Sequence, residues 1–80
     1  MQKQEIIDEL IRLIKQSHEV DRALEGRTAL IADLGLESIQ VIEYLCDVED
    51  RFDLNINEDK LADVNTFDDL ASVILALQES

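Results

Sequence analysis

Eighty residues leave room for one small domain, and a hydrophobic share of 46% sets the chain apart from a disordered acidic tail. Nineteen Asp and Glu against seven Lys and Arg give a formal net charge of −12. That balance excludes a nucleic-acid backbone or an anionic membrane surface as counterpart and calls for basic partners.

A domain of this length buries roughly 60% of its unfolded surface, so a stability of only a few kcal/mol is expected, lowered further by repulsion among carboxylates. Cys46 is the sole cysteine, so an internal disulfide is excluded and companions for a zinc site are missing. No apolar run reaches the length of a membrane span, and Met1-Gln2-Lys3-Gln4-Glu5 does not open a signal peptide. A soluble, monomeric, cytoplasmic protein is the expectation.

The first amphipathic segment carries Ile6, Ile7, Leu10, Ile11, Leu13 and Ile14 at helical spacing, with Glu5, Asp8, Glu9, Arg12 and Lys15 between them. A helix ending near Ser17 and His18 follows from that pattern, with His18 at the surface. From Glu19 to Thr28 the chain is polar, and Val20, Ala23 and Leu24 suggest a weak helical turn. Leu30, Ile31 and Leu34 read as a loop pinned to the core.

Gly35 can turn the chain through a positive φ at low cost. Beyond it Val41, Tyr44, Leu45, Val48 and Phe52 define a second helix, for which Ser38 is the natural N-cap or first-turn residue. Tyr44 and Phe52 are expected in the core, and Cys46 in the core or at its boundary. Leu54 and Ile56 alternate with Asn55 in an extended link, and Asn57 can cap a short helix through about Asp63. Thr66 opens the last helix, with Asp69 completing an imperfect capping box and Phe67, Leu70, Ala71, Ile74 and Leu77 forming the apolar stripe. Three main helices, one short helix and no convincing strand make a small all-α bundle.

The charge is unevenly distributed. Up to Arg27 five bases nearly balance six acids, whereas from Thr28 onward Arg51 and Lys60 face thirteen acids. Glu37, Glu43, Asp47, Glu49 and Asp50 run without a base until Arg51. A solvated helix face is the ordinary meaning of such a run. Here, however, the i+4 lysines that would neutralise it at no cost to the fold are missing, and the run begins beside a glycine turn and a serine. Fast, salt-sensitive and transient docking of a basic partner is expected from such a face.

Candidate chemistry is sparse. His18 stands alone, and Gly35-Leu36-Glu37-Ser38-Ile39 lacks the second glycine of a nucleophile elbow. Asp53, Asn55 and Asn57 imitate the opening of a calcium loop, but Glu58 occupies the glycine position and Val64 that of the bidentate Glu. No metal site is expected.

What remains is Asp33-Leu34-Gly35-Leu36-Glu37-Ser38-Ile39 at the head of the acidic helix. It resembles the modification motif of the acyl carrier protein family, D-x-G-x-D-S-[LI], with Glu37 in place of the usual Asp. The resemblance extends over nearly the whole chain: helix spacing, Phe52 closing the second helix, the extended link and the short third helix. It implies a single carrier domain over 1–80 that is not an enzyme. A phosphopantetheinyl transferase would attach 4′-phosphopantetheine to Ser38, with Asp33, Gly35 and Glu37 as motif support, and acyl intermediates would ride on the arm as thioesters. By position, Glu37, Ile39, Glu43, Asp47 and Asp50 resemble the helix gripped by basic-surfaced synthases, ligases and transferases of fatty-acid, lipid or polyketide biosynthesis. An aminoacyl, peptidyl or D-alanyl cargo stays open, as does, from another class, an unmodified acidic helical adaptor for a basic partner.

Overall fold

A computed structural model describes residues 2–18, 20, 23–61 and 63–79, Glu58 in its backbone only. Its helices are α1 (Lys3–Ser17), α2 (Ser38–Phe52), α3 (Glu58–Leu61) and α4 (Phe67–Glu79). The all-α bundle expected from periodicity is what forms, and the only extended pairing among the described residues is an isolated antiparallel bridge between Ala29 and Thr66.

Ile6, Leu10 and Ile14 of α1 are fully buried, one helical turn apart in succession. They meet Tyr44 and Val48 of α2 and Phe67, Leu70, Ala71 and Ile74 of α4, which are equally inaccessible. α1 is the central element, packing against both α4 and α2. Tyr44 and Phe67 meet edge to face, with ring centroids 6.5 Å apart. The Tyr44 hydroxyl donates a 2.7 Å hydrogen bond to the Leu10 carbonyl, which satisfies its one polar atom inside the core. Burial pushes that phenol's pKa up, so it stays neutral.

Local chemistry sets the helix ends. Glu5 accepts the Gln2 N–H at 2.9 Å at the start of α1, and the His18 N–H closes its end on the Ile14 carbonyl at 2.9 Å. The Thr66 hydroxyl accepts the Asp69 N–H at 3.1 Å, while the Asp69 carboxylate accepts the N–H groups of Thr66 and Asn65. The capping box expected at α4 is thus present, and these backbone donors hold the Asp69 carboxyl below the usual range. Asn57 caps α3 as expected, its side-chain oxygen accepting the Asp59 N–H at 3.1 Å.

Several expectations are corrected. α3 is described from Glu58 to Leu61, and Asp63 stands in a turn, while residue 62 between them lies outside the described residues. The weak turn expected over Val20, Ala23 and Leu24 runs through Asp21 and Arg22 and so lies outside the described residues. Phe52 is half-buried rather than enclosed, and His18 is half-buried rather than a plain surface residue. Leu30 is buried and Leu34 half-buried, but Ile31 beside them is 61% exposed, because the turn that anchors its neighbours directs it outward. Cys46 lies in the open, on the side of α2 away from Tyr44 and Val48.

Candidate functional site

The segment leading into α2 is fixed by its own hydrogen bonds. Asp33 accepts the Ala29 N–H through Oδ2 at 2.8 Å, and its own N–H returns to the Ala29 carbonyl at 3.1 Å. The Gly35 N–H donates to Ile31 at 2.9 Å. Gly35 then takes φ +69°, the left-handed region that favours glycine, and open space surrounds the position a Cβ would occupy. The aspartate and glycine of the motif therefore shape the turn that delivers the serine.

Ser38 is the first residue of α2 and is exposed; the N-cap is Glu37, also exposed. Of the two places open to Ser38, the first turn is the one it takes. Glu37 and Gln40 form a reciprocal capping box: the Glu37 carboxylate accepts the Gln40 N–H, and the Gln40 side chain accepts the Glu37 N–H at 2.8 Å. Beyond the Glu37 cap no acidic residue follows in the first turn, so an anion on Ser38 would share the positive helix end with that one carboxylate. A phosphodiester fits there: the hydroxyl is accessible, the helix end favours negative charge, and the glycine side is uncrowded.

Downstream, Glu43, Asp47 and Asp50 are exposed together along one strip of α2, as their spacing requires. Ile39, 57% exposed, stands beside them as expected. Not anticipated were Ile42, 56% exposed, and Cys46. At i, i+3 and i+7, residues 39, 42 and 46 make a continuous strip alongside the acids; the helical period contains that information once Tyr44 and Val48 are taken as the buried direction. Glu49 does not belong to that exposed strip. It is half-buried and its carboxylate accepts the Ile56 N–H at 2.9 Å, holding the extended link.

On the other side of α2, Val41 and Leu45 line an apolar cavity of about 380 Å³, closed opposite by the 29–32 turn and by Leu61 and Val64. That volume lies within the roughly 300–1,000 Å³ of small-molecule pockets.

A family model described as the phosphopantetheine attachment site matches residues 5–74. The chain belongs to that family. Its prosthetic group is a covalent 4′-phosphopantetheine, and it is a carrier, not an enzyme. An acyl carrier protein of Lactobacillus acidophilus is 30% identical over 98% of this chain and 99% of its own. Acyl carrier protein 1, chloroplastic, of Spinacia oleracea is 32% identical over 96% of this chain, which spans 56% of that protein's length. In fold, the carrier matches a solved Mycobacterium tuberculosis structure described as an acyl carrier protein, with a TM-score of 0.72 at 22% identity over 95% of this chain and 99% of the other. No helix among the carrier's described residues is long and apolar enough to cross a membrane.

Proposed function

We propose that Ser38 carries the 4′-phosphopantetheine arm and that the whole chain acts as one carrier unit, holding acyl intermediates as thioesters and presenting them to enzymes of fatty-acid, lipid or polyketide biosynthesis. The observation that carries this reading is the exposed Ser38 hydroxyl at the first position of α2, behind a turn shaped by Asp33 and Gly35. Asp33, Gly35 and Glu37 support the site by presenting it; they take no part in chemistry.

The strip of Glu43, Asp47 and Asp50, with Glu37 at the helix head and Ile39 as apolar anchor, serves basic-surfaced partners. Exposed pairs contribute only about 0–1 kcal/mol each, so such a face favours rapid arrival and rapid release. The carrier works as a monomer in the cytoplasm, its net charge keeping copies apart. Among cargoes, the apolar cavity favours an aliphatic acyl chain. An aminoacyl group entering it would bring a charged ammonium into a lining whose only polar member among the described residues is Asn65.

Incubation with a phosphopantetheinyl transferase and coenzyme A, followed by intact-mass measurement, tests the assignment. One 4′-phosphopantetheine addition, with adenosine 3′,5′-bisphosphate leaving, is expected on the wild type and none on Ser38→Ala. An addition that persists in the variant moves the site elsewhere, and a uniformly unmodified protein from its native host favours the adaptor reading.

A further inference from the structure

We propose that Glu9 is a positioning residue for partner docking: it draws Arg51 onto α1 and so keeps the one base of α2 off Asp47, leaving the acidic strip uncompensated. This rests on the reading of that strip as the surface met by basic partners, and deepens it.

Arg51 stands four residues after Asp47, the spacing at which a helical acid and base pair, with the acid on the favoured N-terminal side. Both line the groove between α1 and α2, together with Asp50, Leu13, Gln16 and Ser17. Among the described residues that pair is not made. The Arg51 Nε donates instead to Glu9 Oε1 at 2.7 Å, and the guanidinium lies 6.0 Å from the centroid of the Phe52 ring. Glu43, Asp47 and Asp50 are left exposed, with no ion pair among the described residues.

Glu9 wins this competition for two reasons. Its side chain is 15% exposed, so its charge is screened less than that of a carboxylate in open water. Arg12, one turn along α1, donates to the same carboxylate through Nε and Nη2 and fixes it in place. A group already held costs Arg51 little further ordering, whereas the Asp47 side chain would have to be fixed as well. The consequence for docking is direct. A guanidinium moved onto Asp47 would neutralise the middle of the strip and repel the lysines and arginines of an arriving partner. Nothing in the pattern of α2 reports this, because the acid responsible lies 42 residues back in the chain.

The test is modification of Ser38 by a phosphopantetheinyl transferase with coenzyme A, with kcat/KM measured at low and high salt. Glu9→Gln is expected to lower kcat/KM by about two- to fivefold at low salt, through KM, and the deficit should fade as salt is added. Arg51→Gln breaks the same ion pair but should match or exceed wild type, and the double variant Glu9→Gln/Arg51→Gln should recover the wild-type value. Asp8→Asn makes the same change in net charge on α1 and should leave kcat/KM nearly unchanged. Nuclear Overhauser contacts should join Arg51 to Asp47 in Glu9→Gln and to Glu9 in wild type. Equal losses in Glu9→Gln and Arg51→Gln would make the pair a tie between helices only and overturn the proposal. A loss in Asp8→Asn as large as that in Glu9→Gln overturns it too, by reducing the effect to net charge. So do Arg51 contacts that stay clear of Asp47 in Glu9→Gln, and a deficit that salt does not change. A wild type that the transferase leaves unmodified overturns the reading of Ser38, and this proposal with it.

Discussion

At its head α2 presents Ser38, Ile39 and Ile42 to solvent and is closed by a capping box between Glu37 and Gln40. At its tail Arg51 reaches 2.7 Å across to Glu9 of α1, which also binds Arg12, while Glu49 secures the following link through the Ile56 N–H. Asp53 adds a left-handed cap at φ 53°, after which the Leu54 N–H returns to the Glu49 carbonyl. One helix thus has an end anchored to its neighbours and an end left accessible. A modifying transferase needs a serine it can reach, and Ser38 stands at the end that is not tied to α1.

The largest effect expected from this division separates burial from exposure within α2. Tyr44→Ala removes a fully buried ring, its edge contact with Phe67 and its bond to Leu10. A loss of about 3–5 kcal/mol is expected, enough to leave a carrier of this size largely unfolded. Ile42→Ala, two residues away on the exposed strip, should alter stability by no more than about 0.5 kcal/mol. Urea denaturation of both variants gives the comparison. Similar losses would mean that Ile42 is packed, and the accessible strip would disappear.

The tail is tested through pH. Arg12, by hydrogen bonding, and then Arg51 hold the Glu9 carboxyl at about 2, down from an ordinary 4.5. A carboxylate with a lowered folded-state pKa contributes stability that is fully present above the unfolded value and is lost as pH falls through the folded one. Glu9→Gln is therefore expected to be less stable than wild type by about 1 kcal/mol near neutrality, the scale of two part-exposed ion pairs. That gap should narrow from about pH 4.5 downward and close near pH 2. A gap that does not change with pH would show that Glu9 acts through packing alone.

How much of this is legible in the residues alone depends on the range of the interaction. Helix spans, the Thr66–Asp69 box and the Asp33–Ser38 turn rest on contacts within a few residues, and local patterning carries them. The Arg51–Glu9 pair joins positions 42 residues apart, and no periodicity reports which base in the chain meets which acid. Ile31 and Cys46 escape local patterning for a related reason. Hydrophobicity indicates that a residue can be buried, but burial also requires an element on the other side. α3 is short, and a cavity lined by Leu61 and Val64 stands against that flank of α2. Glu49 is indistinguishable by sequence from its acidic neighbours, because its bond to Ile56 depends on how the link folds back.

The smallest expected effect bears on why the accessible strip is acidic at all. Glu43, Asp47 and Asp50 repel one another at helical spacing, and Asp50, two residues from the end of α2, also opposes the negative end of the helix. Asp50→Lys would reverse both terms and pair with Asp47, raising stability by roughly 0.3–1 kcal/mol. Added salt should raise the wild-type midpoint by screening the same repulsion, and should do so less in the variant. A wild-type midpoint unchanged by ionic strength would remove the repulsion account. Partner turnover should move the other way, with kcat/KM falling in Asp50→Lys and the fall shrinking as salt weakens steering for both proteins. A gain in stability together with a loss in docking would show that the strip holds its charge against the interest of the fold, and that a basic surface elsewhere is what the charge serves.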